Sequence, residues 1–133
     1  MLKGKLDKLG ILLKNEERIL VAYLFGSYAR KIQTSQSDVD IAVLLSSVPE
    51  NILEYYLYLT NRLAKVLESD VDLIILNAAS PLLKYQVIKY GKLLYSRKEE
   101  ARVTFEARAQ SEYLDFSRAI ARYDECLMKN ILT

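Results

Sequence analysis

The chain reads as an α/β (α+β) fold: a small mixed β-sheet flanked by helices, with a long C-terminal helix. Three observations predict it. Short apolar runs edged by Gly, Ser or Asp recur at residues 19–25, 38–45 and 70–76, the pattern of buried strands. Segments with apolar residues at three- and four-residue steps lie around them, the pattern of helices packed through one face. From about residue 98 to 132 that helical pattern continues without Gly or Pro.

In chain order, Leu2, Leu6, Leu9, Leu12 and Leu13 stand at helical spacing and predict an amphipathic helix over residues 2–18. Residues 19–25 are apolar and aromatic and stop at Gly26, which suits a buried strand. Gly26-Ser27 then makes a turn, residues 28–32 a short helix, and the polar residues 33–37 a loop. A second strand covers 38–45 and ends at Ser46-Ser47. Ser47-Val48-Pro49-Glu50 offers an N-cap, an early helical proline and a capping-box Glu, so a helix is expected over about 49–67. Its stripe includes Ile52, Tyr56, Leu59, Leu63 and Leu67.

The third strand covers 70–76. Ser80-Pro81 repeats the cap-then-proline signal, and Gly91 closes a helix over 82–90. Residues 92–96 are a short strand. In the last segment Ala109, Tyr113, Phe116, Ile120, Tyr123, Leu127 and Ile131 recur at helical steps. At about 1.5 Å per residue such a helix spans roughly 50 Å. That is long for a domain of this size, so it either breaks and folds back or carries its far end to a partner, in a homodimer or hetero-oligomer. The 133 residues fit one domain, with a core of about 19–96 and a helical segment of about 98–132.

Composition narrows the chemistry. A content of 51% hydrophobic and 27% charged residues is that of a chain able to bury its own core. The net charge of +2 is too small to imply nucleic-acid binding. The lone Cys126 excludes an internal disulfide and a Cys-rich zinc site. With no histidine, imidazole catalysis and His-ligated zinc are excluded as well. Carboxylates, hydroxyls, Lys and Arg remain, with oxygen-loving cations as natural helpers. No apolar run approaches the roughly 20 residues of a membrane span and no signal peptide is evident, so a cytoplasmic location is expected.

The informative residues are Gly26-Ser27-Tyr28-Ala29-Arg30 and Ser37-Asp38-Val39-Asp40, with ten residues between Ser27 and Asp38. Asp38 and Asp40 are two apart on a strand, so both carboxylates project from one face. Such a pair suits magnesium, which bridges carboxylates to phosphates, although taken alone a solvated strand end is the simpler reading. Gly26 permits close approach to the backbone, and Ser27 opens a helical turn whose free amides suit a phosphate. A plain N-cap is the simpler reading of Ser27 taken alone. Arg30 could contact phosphate or pair with an acid.

Asp72 is an acid in an otherwise apolar strand, costly to bury unless paired or metal-bound. With its strand beside that of Asp38 and Asp40, the three carboxylates would converge, as two-metal phosphoryl transfer requires. Asp70 is a rival for the third place. Tyr55, Tyr56 and Tyr58 are read as core or interface, with a stacking surface as the alternative.

Gly-Ser, ten residues and Asp-x-Asp resembles the signature of the polymerase-beta-like nucleotidyltransferases. The short form with Ala29, Arg30 and Ser37 is similar to the minimal nucleotidyltransferase (MNT) group. Phe105-Glu106-Ala107-Arg108 and Tyr113-Leu114-Asp115 are similar to that group's C-terminal helix. The resemblance implies a nucleotidyltransferase fold that transfers a nucleoside monophosphate, AMP from ATP, to a hydroxyl. It implies that Gly26, Ser27 and Arg30 hold the nucleotide, and that Asp38, Asp40 and Asp72 bind two magnesium ions and carry catalysis. It further implies an antitoxin role, with a tyrosine of a HEPN-type ribonuclease toxin as acceptor. Transfer to a small molecule such as an aminoglycoside, and neutralisation of a toxin by binding alone, are the alternatives.

Overall fold

The computed structural model describes residues 2–26 and 39–132. Helix α1 (Leu2–Asn15) leads into strand β1 (Ile19–Phe25), followed by β2 (Val39–Leu45), α2 (Ile52–Leu67) and β3 (Val71–Ile75). A 3₁₀ turn (Leu76–Ala78), α3 (Pro81–Tyr90), β4 (Lys92–Ser96) and α4 (Glu99–Leu132) complete the order. The sheet is mixed, in the order β3-β2-β1-β4. β1 is antiparallel to both β2 and β4, whereas β2 and β3 are parallel. Parallel neighbours need a crossover, and α2 supplies it.

Alternation along β2 splits the core into two layers. Val39, Ile41, Val43 and Leu45 belong to the layer covered by Leu9, Leu12 and Leu13 of α1 and by Leu59, Leu63 and Leu67 of α2. Ala42 belongs to the other layer, with Val21, Tyr23, Leu76 and Val87, against which Leu44, Ile74 and Phe105 pack. A bulge at Leu20, where the register steps from Ile19↔Leu45 to Val21↔Leu44, rephases β1 between the layers. Burial on both faces explains why β1 reads as an unbroken apolar run.

Local chemistry sets the helix ends. Ser80 accepts a hydrogen bond from the Leu83 N–H and Pro81 occupies the first turn, as its sequence predicts. The start of α2 differs from the sequence reading. The chain stays irregular through Pro49, and the helix begins at Ile52 with Asn51 accepting from the Glu54 N–H at 3.0 Å. Asn is as strong an N-cap as Ser, and here it outcompetes Ser47. Helix α1 also stops earlier than residue 18. Arg97 reaches back to where it ends, donating to Lys14 O (2.8 Å) in the last turn and to Glu16 O (3.1 Å) and Ile19 O (3.1 Å) just beyond it. Asn77 pins the 3₁₀ turn to β2 by accepting from the Leu45 N–H at 2.8 Å and donating to its carbonyl at 2.9 Å.

Helix α4 neither breaks nor folds back. Its first half lies on the sheet and on α3: Ala109 is buried, Tyr23 Oη donates to Glu106 at 2.9 Å, and Tyr113 stacks on Tyr85 with ring centroids 3.9 Å apart. Burial raises the Tyr23 phenol well above its ordinary range, and the Glu106 carboxylate adds to the effect. Among the described residues, no helix is long and apolar enough to cross a membrane.

Candidate active site

Three segments meet at one edge of the sheet: the end of β1, the start of β2 and the start of β3. The Val39 N–H donates to the Asp70 carbonyl at 3.0 Å, which starts the parallel ladder and sets its register. In that register Asp40 stands directly beside Asp72, while on its other side Asp40 pairs with Phe25. Register partners on parallel strands project to the same face, about 4.8 Å apart across the ladder. That face is the one of Ala42 and Ile74, two residues further along each strand.

Gly26 completes the arrangement. Its φ of +77° is a conformation that L side chains rarely adopt. A Cβ built on it would lie 2.1 Å from Asp40 Oδ2 and 2.9 Å from its Cγ. The Asp40 carboxylate therefore occupies the space that any side chain at position 26 would need. Glycine is required here twice over, by backbone angle and by contact.

Gly91 shows a related tight fit at the same edge. Its Cβ would lie 2.4 Å from Val87 O and 3.2 Å from Leu24 O, so its absence lets the end of α3 pack against the end of β1. Directly after it, Lys92 pairs with Leu24 near the end of β1. The sequence predicts Gly91 as a helix stop alone. The signal for its second role was Lys-Tyr-Gly-Lys at a helix-to-strand junction without an intervening loop. Lys89 lies over the rings of Tyr85 and Tyr90, at 5.6 and 5.4 Å from their centroids, and these tyrosines raise its pKa.

Of the residues singled out in the sequence, Gly26, Asp40 and Asp72 are brought together. Ser27, Arg30 and Asp38, with the short helix expected over 28–32 and the loop over 33–37, lie outside the described residues. Among the described residues no set of three metal-ligating side chains converges. Asp70 precedes β3 and contributes its backbone carbonyl to the ladder, so the neighbour of Asp40 is Asp72. One premise of the sequence reading is corrected. Asp72 is exposed, on an edge strand, and carries no burial penalty that a partner must offset. Asp40, on an interior strand, is the half-buried member of the pair. The tyrosines of α2 form no stacking platform: the rings of Tyr55 and Tyr58 are tilted by 45°, with Arg18 over the first and Arg62 over the second.

Two oxygen-donor side chains on one face, over a glycine that leaves the backbone open to approach, suit a hard divalent cation such as magnesium.

Residues 7–100 match the family model described as polymerase beta, nucleotidyltransferase. The chain is 40% identical over 90 residues to the protein adenylyltransferase MntA of Shewanella oneidensis, a match covering 68% of this chain. The chain spans 63% of the length of that curated relative. It is similar over the full length of both chains to one from a crystal structure of a toxin–antitoxin with AMP-PNP (32% identity, TM-score 0.72). A similar full-length match is to a chain from the tri-AMPylated Shewanella oneidensis HEPN toxin in complex with its MNT antitoxin (30% identity, TM-score 0.68). The edge of acids over Gly26 and the match across the sheet that builds it lead to one assignment: the chain belongs to the polymerase beta nucleotidyltransferase family.

Proposed function

We propose that the protein is an adenylyltransferase that moves AMP from ATP to a tyrosine hydroxyl of a HEPN-type toxin and thereby silences it as an antitoxin. The observation that carries this reading is the register pairing of Asp40 with Asp72 over the left-handed Gly26. In the transfer, the acceptor oxygen bonds to the α-phosphorus of ATP, the bond to the β-phosphate oxygen breaks, and pyrophosphate leaves. Asp38, Asp40 and Asp72 would hold two magnesium ions, which when bound neutralise the triphosphate and lower the pKa of the attacking hydroxyl. Asp72, exposed at the sheet edge, would be reachable by a macromolecular acceptor and would take the hydroxyl proton. Asp40, packed on Gly26, would be the ligand held in one position. Ser27 and Arg30 would contact the phosphates.

The test is intact-mass spectrometry of the partner toxin after incubation with ATP, magnesium and this protein. A gain in whole AMP units is expected, and Asp40→Asn or Asp72→Asn should abolish it. An unchanged mass, with no pyrophosphate released, would refute catalysis. Neutralisation by contact alone is the second reading, favoured by the exposed apolar side of α4. Toxin inhibition that persists undiminished in Asp40→Asn would select it.

A further inference from the structure

Every described side chain from Leu114 to Ile131 on α4 is exposed, yet this is not the sequence of a solvated helix. At about 100° per residue, Phe116, Ile120, Tyr123, Leu127 and Ile131 fall within one sector about 80° wide. The same sector, extended backwards, holds Phe105, Ala109 and Tyr113, the residues through which α4 packs on its own sheet and on α3. One apolar stripe therefore serves the fold in its first half and continues with no partner from this chain in its second.

The charges respect that stripe. Asp115, Arg118, Arg122, Glu125 and Lys129 all lie on the opposite side of the helix, and only Asp124 borders the seam. The other bordering positions are Ser117 and Ala119, small enough to let a second helix approach closely, and the uncharged Asn130.

We infer that this stripe pairs with its own counterpart in a second copy of the chain, the two helices running antiparallel. A parallel pair would force the partner's residues 99–113, with the sheet they carry, onto the face of α4 that its own sheet occupies. Antiparallel pairing puts the two domains at opposite ends. Setting Ile120 against the second copy's Tyr123 also sets Phe116 against Leu127, so the two-fold axis matches large residues with large ones throughout. In that register Asp124 comes level with the second copy's Ala119, beside Ser117, and no like charges face each other. The stripe residues are exposed by 38% (Phe116), 46% (Ile120), 68% (Tyr123), 44% (Leu127) and 69% (Ile131). On a scale of about 150–250 Å² per large side chain, that is roughly 500 Å² per copy. A pair would bury about 1,000 Å², the threshold of a specific interface.

Sedimentation velocity on the full chain, at concentrations up to about 100 µM, should show a dimer. Ile120→Asp with Leu127→Asp should give a monomer whose circular dichroism and melting temperature match the wild type, because both positions are exposed. Register is read by cysteine cross-linking on a Cys126→Ser background. Phe116→Cys with Leu127→Cys should oxidise to a disulfide-linked dimer, and neither single substitution should. Each lone cysteine would sit eleven residues, about 16 Å, from its copy, beyond the roughly 4.4–6.8 Å that a disulfide spans. A wild-type monomer across the range overturns the inference, whether or not the stripe is covered once a different partner protein is added. Cross-linking by the single variants overturns the antiparallel register.

Discussion

Replacing Gly26 by Ala perturbs the candidate site at one point, and the structure sets the size of the effect. The first consequence is conformational: at φ +77° an L side chain is strained by about 1–2 kcal/mol. For a chain of 133 residues that corresponds to a melting temperature lower by about 4–7 °C. The second is steric. The new Cβ would stand 2.1 Å from Asp40 Oδ2, and ordinary contact begins at 3.4 Å, so the carboxylate must retreat by about 1.3 Å. A displacement near 1 Å in a reacting group costs on the order of 100-fold in rate. The variant should therefore stay folded at 20 °C and lose about two orders of magnitude in AMP transfer. Initial rates by intact mass, beside melting curves followed by circular dichroism, separate the two effects. A Gly26→Ala protein that melts lower but transfers AMP at the wild-type rate would refute the idea that Gly26 positions Asp40.

Gly4 and Gly10 supply the opposite case: both lie within α1 with nothing inside 4 Å of an added Cβ. Gly10→Ala should raise stability by about 0.5–1 kcal/mol, seen as a melting temperature higher by a few degrees, with transfer unchanged. Magnesium with ATP at about 100 times its Kd should stabilise the wild type by about 2.7 kcal/mol, and EDTA should remove the shift. Asp72→Asn, exposed and on an edge strand, should melt like the wild type without nucleotide and lose most of that gain. Alkaline pH should unfold the chain early. Burial pushes the Tyr55 phenol up to about 12 and raises Tyr23 further, where the Glu106 carboxylate adds to it, so folding favours the neutral phenols. Their contribution is complete below the unfolded-chain value of about 10 and is lost as pH rises through the raised values. Melting curves between pH 8.5 and 11.5 should steepen above about 10, and Tyr23→Phe should flatten that decline. A profile identical in the two proteins would exclude Tyr23 as a cause.

What could be read in the sequence was whatever short-range physics decides. Strands β1 and β4 begin and end where their composition changes, and Ser80-Pro81 caps α3 because a hydroxyl and a proline act within one turn. Errors arose where the decisive contact was local but had a competitor, or was distant in sequence. Asn51 displaced Ser47 as the cap of α2 because both carry a suitable acceptor and spacing alone did not rank them. Helix α1 stops at Asn15 because Arg97, more than eighty residues away in the chain, reaches back to its carbonyls. The adjacency of Asp40 and Asp72 depended on a strand pairing that spacing in the sequence does not encode. The contact between Gly26 and Asp40 was invisible for the same reason, although the glycine itself was legible as a turn.

Topology explains why acids so far apart in sequence arrive side by side. A parallel pair joined by a crossover helix begins both strands at the same edge of the sheet, however long the helix is. With β2 and β3 so joined through α2, an acid in the second position of each strand must come to the same level, as Asp40 and Asp72 do. The antiparallel β1 ends at that edge, so its terminal turn at Gly26 faces the two strand starts. The arrangement thus depends on register more than on loop length. A residue inserted in α2 should be tolerated at the site, because the crossover can absorb it. A residue inserted between Asp40 and Ile41 should not, because the buried residues 41–45 keep their register and Asp40 would turn to the opposite face of β2, into the layer under α1 and α2. Making both insertions and measuring AMP transfer in folded protein would decide it: equal losses would mean that register does not hold the site together.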